Sequence, residues 1–199
     1  MIVLLGLFGL SACSVEESPE VSAIAPNNRE DSVKSIIADF DSATESAQWR
    51  TVDDNVMGGL SQGNLVNTQA STGLFSGTLS LENNGGFSSV RRGVDGLAVG
   101  LDDAIALRIK GDGRRYQFRL KMDTSDRAIS YRAEFDTTAD EWTVVSLPLS
   151  NFEPVFRGRV IADAPSLVPS EVEEIGFLLA SKQDGAFALE IDWIRSDTE

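Results

Sequence analysis

The chain has 199 residues, with 17 Lys and Arg against 31 Asp and Glu, a formal net charge of -14, no His and one Cys. A surface that acidic repels nucleic-acid phosphates, which argues against a nucleic-acid partner. The missing imidazoles and the lone thiol exclude His- or Cys-based triads, dyads and zinc sites. Carboxylates, hydroxyls, Lys, Arg and backbone amides remain, so paired-carboxylate hydrolysis and calcium binding stay open, although no motif supports either.

The first element is Ile2 to Leu10 (IVLLGLFGL), an uncharged apolar run. It is too short for a bilayer, which needs roughly 20 residues, and has the length of a signal-peptide core. Leu10-Ser11-Ala12-Cys13 follows at once and resembles the bacterial lipoprotein box, in which the Cys thiol takes a diacylglycerol and becomes the first residue of the mature chain. No Lys or Arg precedes the core, so either the true start lies upstream or the Met1 amino group supplies the only positive charge. The competing reading is a buried apolar strand carrying a chance Cys.

Lipidation at Cys13 would anchor the chain to a membrane, at about 0.8 kcal/mol per buried CH₂. Ser14 stands where lipoproteins kept at the inner membrane carry Asp, so the resemblance favours the outer membrane of a bacterial envelope, with the protein facing the periplasm. Residues 1–12 are thus expected to be a signal peptide and 13–35 a lipidated tether. The stretch from Ser14 to Lys34 is rich in Glu, Ser, Pro and Asn and has no apolar periodicity, the composition of a flexible linker.

From 36 to 195 apolar residues recur at every second position, the mark of strands with one face on a core and one in water. Ile105, Leu107 and Ile109 alternate with Arg108 and Lys110; Tyr116, Phe118, Leu120 and Met122 alternate with Gln117, Arg119 and Lys121. Ile129, Tyr131, Ala133 and Phe135 continue the pattern, as do Phe187, Leu189, Ile191 and Trp193. Gly111-Asp112-Gly113 reads as a tight connection, Gln183-Asp184-Gly185 as a turn before the last strand, and Ser170 to Ile175 as one helical turn after Pro169. The expected fold is all-β: an antiparallel β-sandwich or jelly roll in one domain, 36–195.

Basic residues concentrate between 104 and 136: Arg108, Lys110, Arg114, Arg115, Arg119, Lys121, Arg127 and Arg132. Alternation places Arg108, Lys110, Arg119, Lys121 and Arg132 on one outward face of neighbouring strands. That face is either solvated and cross-paired, for instance with Glu134, or a docking surface for an acidic partner.

Trp49-Arg50-Thr51-Val52-Asp53-Asp54-Asn55-Val56-Met57-Gly58-Gly59-Leu60-Ser61 and Leu81-Glu82-Asn83-Asn84-Gly85-Gly86-Phe87-Ser88-Ser89-Val90-Arg91 each set a Gly pair beside Asn and apolar residues. With Phe75-Ser76-Gly77, Lys110-Gly111-Asp112-Gly113, Trp142, Leu147-Pro148-Leu149-Ser150-Asn151-Phe152, Phe156-Arg157-Gly158-Arg159 and the terminal Phe187 to Ile194, they make residues 36–195 resemble the complex I intermediate-associated protein family, the thirty-kilodalton class. The resemblance implies a galactose-binding-like sandwich without catalytic residues or a cofactor, and an assembly-factor role. The chain departs from relatives that add a nucleotide-binding reductase domain.

The Gly pairs serve either as turns with positive φ and close strand approach, or as the floor of a polar loop pocket formed by Asp54, Asn55, Gly58, Gly59, Asn83, Asn84, Gly85, Gly86 and Arg91. A calcium site from Asp53, Asp54 and Asn55, with Asp102 or Asp103, has suitable oxygens but no supporting spacing. Three functions compete. A membrane-tethered assembly factor for a protein partner leads, a lectin-like glycan binder follows, and a two-carboxylate hydrolase comes last.

Overall fold

The computed structural model describes residues 1–2, 35–125 and 128–197. The lipoprotein box with Cys13, the tether up to Lys34, and Arg127 lie outside them. The chain divides into two units, Met1–Glu30 and Asp31–Glu199, and the described strands all belong to the second.

Alternating apolar residues become strands β1 (Ile36–Asp39), β2 (Trp49–Thr51), β3 (Gln62–Asn67), β4 (Gly73–Leu79), β5 (Phe87–Gly93), β6 (Ala104–Lys110) and β7 (Arg115–Lys121). Then follow β8 (Ser130–Asp136), β9 (Trp142–Pro148), β10 (Glu153–Phe156), β11 (Arg159–Val160), β12 (Glu174–Ala180) and β13 (Gly185–Asp197). Short 3₁₀ turns connect several of them, Pro169–Glu171 among them. No α-helix occurs among the described residues, and none of their helices is long and apolar enough to cross a membrane.

Two antiparallel sheets pack face to face. The six-stranded sheet runs β3-β4-β13-β6-β9, with β1 also paired to β13; the seven-stranded sheet runs β11-β10-β8-β7-β12-β5-β2. Between them lies an aromatic core. Phe177 meets Trp49 in a stacked contact at 6.0 Å and Phe118 edge-on at 5.1 Å, while Phe75 meets Phe187 at 5.0 Å. Truncating a ring as buried as Phe177 to Ala costs about 3–5 kcal/mol.

Three features depart from the periodicity. Gly111-Asp112-Gly113 does link β6 to β7, but the link crosses from one sheet to the other, because β6 pairs with β13 and β9 while β7 pairs with β12 and β8. After Glu174, strand β12 is a continuous apolar run, buried along nearly its whole length at the centre of its sheet. Having two covered faces, it shows no alternation. In β13 the register jumps between Ile191 and Trp193, so a bulge at Asp192 flips the phase. Ile194 and Ser196 then face inward, and Trp193, expected in the core, turns outward with Arg195 stacked 4.3 Å from its ring.

Candidate binding face

The two glycine loops converge on Asp54, which is 1% exposed. Its Oδ1 accepts the Ser61 amide at 2.9 Å; its Oδ2 accepts the Ser61 hydroxyl at 2.5 Å, the Gly86 amide at 2.6 Å and the Phe87 amide at 3.2 Å. Burial pushes this carboxyl up, but the donors from Ser61, Gly86 and Phe87 outweigh it and hold the pKa below the ordinary carboxylate value. Asp53 fastens the next layer, accepting from Ser88 Oγ at 2.6 Å and the Gly63 amide at 2.9 Å.

Glycine is required here by contact as well as by conformation. An added Cβ would run into the Asp54 carboxylate at Gly59 and at Gly85, while Gly58 and Gly86 have φ of 90° and 124°. Asn83 and Asn84 take left-handed φ of 54° and 62°, and with Asn55 they stay exposed.

The structure separates the residues expected to line a loop pocket. Asp54 is a saturated clasp between loops, and Arg91 leaves the loop for the outer face of the seven-stranded sheet, where it pairs in register with Arg50 and Gly176. Side chains beside the clasp are apolar: Val56, Met57 and Leu60 are 68%, 66% and 52% exposed. Among the described residues no three His, Cys, Asp or Glu side chains are grouped to hold a metal ion. Asp53 and Asp54 already spend their carboxylates on protein donors. A cleft of about 420 Å³ near Ile37, Arg92 and Leu97 contains none of the candidate binding residues named from the sequence.

The single basic face is also corrected. Because β6 and β7 belong to different sheets, Arg108 and Lys110 lie on the outer face of the six-stranded sheet, while Arg119, Lys121 and Arg132 lie on that of the seven-stranded sheet. The first pair is neutralised: Arg108 meets Asp192, Lys110 meets Glu190 at 2.5 Å, and both cations sit over the Trp142 ring.

The second group is larger than alternation suggested. Strand registers set Arg50, Arg91, Gly176, Arg119, Arg132 and Glu153 in one line across β2, β5, β12, β7, β8 and β10. Glu174 is shared by Arg50 at 2.5 Å, Lys121 at 3.7 Å and Arg91 at 3.8 Å. Arg132 meets Glu153 at 3.2 Å and Glu134 at 3.6 Å.

Arg119 differs from these. Its Nε and Nη2 donate to Gln117 Oε1 at 3.0 and 2.6 Å and its Nη1 to Ser130 Oγ at 3.0 Å, all neutral acceptors. Among the described residues no carboxylate lies within ion-pair distance of it. Burial first, then Arg132 and Arg91, depress its pKa to about 10. Burial likewise lowers Lys121, against the pull of Glu174.

Six cations, Arg50, Arg91, Arg115, Arg119, Lys121 and Arg132, thus face four carboxylates, Glu134, Asp136, Glu153 and Glu174. This is a cationic face on an acidic chain. Sequence reasoning missed Arg50, Gly176 and Ser130, since the line joins six strands spread from 49 to 176 and only the registers bring them together.

Comparison with known proteins agrees with this architecture. Residues 38–191 match the family described as Complex I intermediate-associated protein 30 (CIA30). An uncharacterised protein of Schizosaccharomyces pombe is 32% identical, over 74% of this chain and 77% of its own. The mitochondrial Complex I intermediate-associated protein 30 of Mus musculus is 29% identical over 80% of this chain and 55% of its own, so the present chain spans about half of that relative. Among solved structures, the family 11 carbohydrate-binding module of a Clostridium thermocellum cellulosomal cellulase superimposes with a TM-score of 0.62. It covers 83% of this chain and 95% of that one at 14% identity, a likeness of fold.

Proposed function

The chain belongs to the Complex I intermediate-associated protein 30 family, and we propose that its sandwich is a non-catalytic binding module acting as an assembly factor for a protein partner. The observation that carries this reading is the arginine line on the seven-stranded sheet, where Arg119 keeps its charge without a carboxylate in contact among the described residues. Such a face attracts acidic surfaces and repels basic ones, so it selects among partners by charge. Lipidation at Cys13 would hold the module at a membrane, facing the periplasm, within reach of membrane-bound assemblies. A role toward respiratory complex I is the family's suggestion, supported by the name of the mouse relative.

Co-purification from detergent-solubilised membranes tests the reading. A partner should be recovered with the native chain and lost when Arg119 and Arg132 are both changed to Glu. Recovery of the chain alone in both cases contradicts it. A glycan-binding role draws on the shared fold with a carbohydrate-binding module, but the arginine line carries no aromatic ring for a sugar to stack on, and Trp142 on the other sheet is covered by two cations. A glycan array probed with the full chain separates the two.

A further inference from the structure

Strand β9 is the outer strand of the six-stranded sheet, paired with β6 on one side and, among the described residues, with no strand on the other. The Leu149 amide donates to the Asp103 carbonyl at 3.0 Å, which puts Leu149 in the phase that bonds towards β6. By alternation Leu147, Val145 and Thr143 share that phase. Pro148, Ser146, Val144 and Trp142 therefore turn their backbone groups away from the sheet, and Pro148 falls where its missing N–H costs the ladder nothing.

Sheet edges are ordinarily blunted by charge, by Pro, by bulges or by cover. Strand β9 contains no Lys, Arg, Asp or Glu, its single Pro is its last residue, it pairs with β6 without a register shift, and Val144 is 60% exposed. The opposite edge of the same sheet is closed. There Asp53 accepts the Gly63 amide at 2.9 Å, and the Asn67 side chain is bonded to Phe40, Ser42 and Ser46. The edge strands of the other sheet, β2 and β11, have only three and two residues.

A groove of about 350 Å³ runs beside this edge, between β9 and the end of β8, with Ala133, Phe135, Val145 and Leu147 as its apolar lining. Its two acids are answered from within. Asp136 meets Arg115 at 2.7 Å, while Glu134 accepts from Gln117 at 2.8 Å and meets Arg132 at 3.6 Å. An occupant thus meets an open backbone ladder, an apolar floor and no unanswered charge.

We propose that β9 is a strand-addition site, and that its occupant is an extended, uncharged segment of the partner protein with Val, Ile or Thr at alternate positions facing the groove. Backbone bonds to Trp142, Val144 and Ser146 give the pairing, and side chains seated by Val145 and Phe135 give the selection. A second copy of this chain is the poorer occupant. An edge of seven residues is about 24 Å long on a sandwich about 10 Å thick, a footprint on the order of 250 Å² against the ~800 Å² per partner of a stable pair. Two chains of net charge -14 also repel each other. The free stretch of β8, 133–136, is shorter than β9 and carries both acids. Because the segment is protein, the proposal rests on the protein-partner reading, to which it adds a contact apart from the arginine line.

The test is binding of a labelled peptide, Val-Thr-Val-Thr-Val-Thr-Val between Gly-Ser flanks, to the full chain, read by fluorescence polarisation and by NMR amide exchange. The peptide should slow exchange at Trp142, Val144 and Ser146 by about tenfold or more and leave Thr143, Val145 and Leu147, already bonded to β6, unchanged. Val144→Pro sets a ring on the open edge, leaves the β6 ladder whole and should weaken binding by about tenfold or more. The same peptide N-methylated at its three central residues keeps its side chains but loses donors on both edges, and it should bind as weakly. That peptide holds the test open should the Pro variant fold poorly.

Equal binding of the methylated peptide, or slowed exchange at Glu134 and Asp136 in place of β9, overturns the site. Tighter binding when Lys or Glu replaces the Thr residues overturns the uncharged occupant. Slowed Val144 exchange at rising chain concentration without peptide makes a second copy the occupant and overturns the proposal as well. If the Arg119 and Arg132 reversals abolish co-purification while the peptide fails to bind, β9 is not the site and the protein-partner reading stands. If the peptide binds as described but no protein co-purifies, that reading falls and the edge site stands.

Discussion

An added Cβ at Gly85 would come within 2.6 Å of Asp54 Oδ2. The second glycine pair therefore stands where a carboxylate from the first glycine loop takes up the room a side chain would need. This contact joins the two loops and gives the paired glycines a physical role as a clasp.

Asp54→Asn should destabilise the domain by about 2–3 kcal/mol, because an amide nitrogen must then face donors that now share the carboxylate. For a domain of this size that lowers Tm by roughly 4–12 °C. A calorimetric scan measures it, and an unchanged Tm would mean that the clasp carries no load.

Gly59→Ala forces the new methyl group into the Asp54 side chain, so the two positions should couple. In a double-mutant cycle with Asp54→Ala the costs should add to less than their sum, by about 0.5 kcal/mol or more. Urea titration of the four proteins gives the coupling directly.

The Asp54 pKa is lowered by its donors against the opposing effect of burial, and that of Glu190 by Lys110 and Thr72 against the same effect. A carboxyl whose folded pKa is depressed contributes stability that is fully present above its unfolded value, close to 3.8 for Asp, and is lost as pH falls through the folded one. Stability should thus hold from neutrality down to about pH 4 and decline below it. Asp54→Asn should start lower and decline less steeply in urea titrations at pH 7, 4 and 3.

Arg119 carries the opposite sign. Its folded pKa is depressed to about 10, so the unfolded chain binds that proton more tightly and the charged guanidinium opposes folding at every pH below about 10. Arg119→Gln should leave Tm unchanged or raise it by up to a few degrees, the relief offsetting the lost hydrogen bonds to Gln117 and Ser130, each worth about 1 kcal/mol. Arg92→Gln provides the contrast. Arg92 meets Glu45 at 2.8 Å and donates to the Ile37 carbonyl at 3.1 Å, so its loss should cost about 1–3 kcal/mol.

Cys13→Ser should shift the chain from the membrane fraction to the soluble fraction and change its gel mobility. Unaltered fractionation and mobility would dismiss lipidation as the anchor.

Much of the sandwich was legible because alternation records one-sided burial, as in Ile105, Leu107 and Ile109, all at 0% exposure. Strand β12 was not legible, since a strand covered on both faces loses its period. Trp193 was misplaced because one extra residue at Asp192 inverts every later side chain, and nothing local in the sequence marks a bulge. The glycine motifs were recognised as a pair, but a saturated clasp and an open pocket draw on the same residue types. Asp54 could be assigned only once its donors were seen.

The sequence by itself determined the fold class and the concentration of basic residues between 104 and 136, both properties of composition and local periodicity, while the family rested on the resemblance its motifs carry. Tertiary structure alone decided which of those cations act together. The Gly111-Asp112-Gly113 connection sends β6 and β7 to different sheets and so separates Arg108 and Lys110 from Arg119. Strand pairing across long loops brings in Arg50, Arg91 and Gly176 in their place. A side chain's face is set within its own strand, whereas its neighbours are set by register with strands far away in the chain.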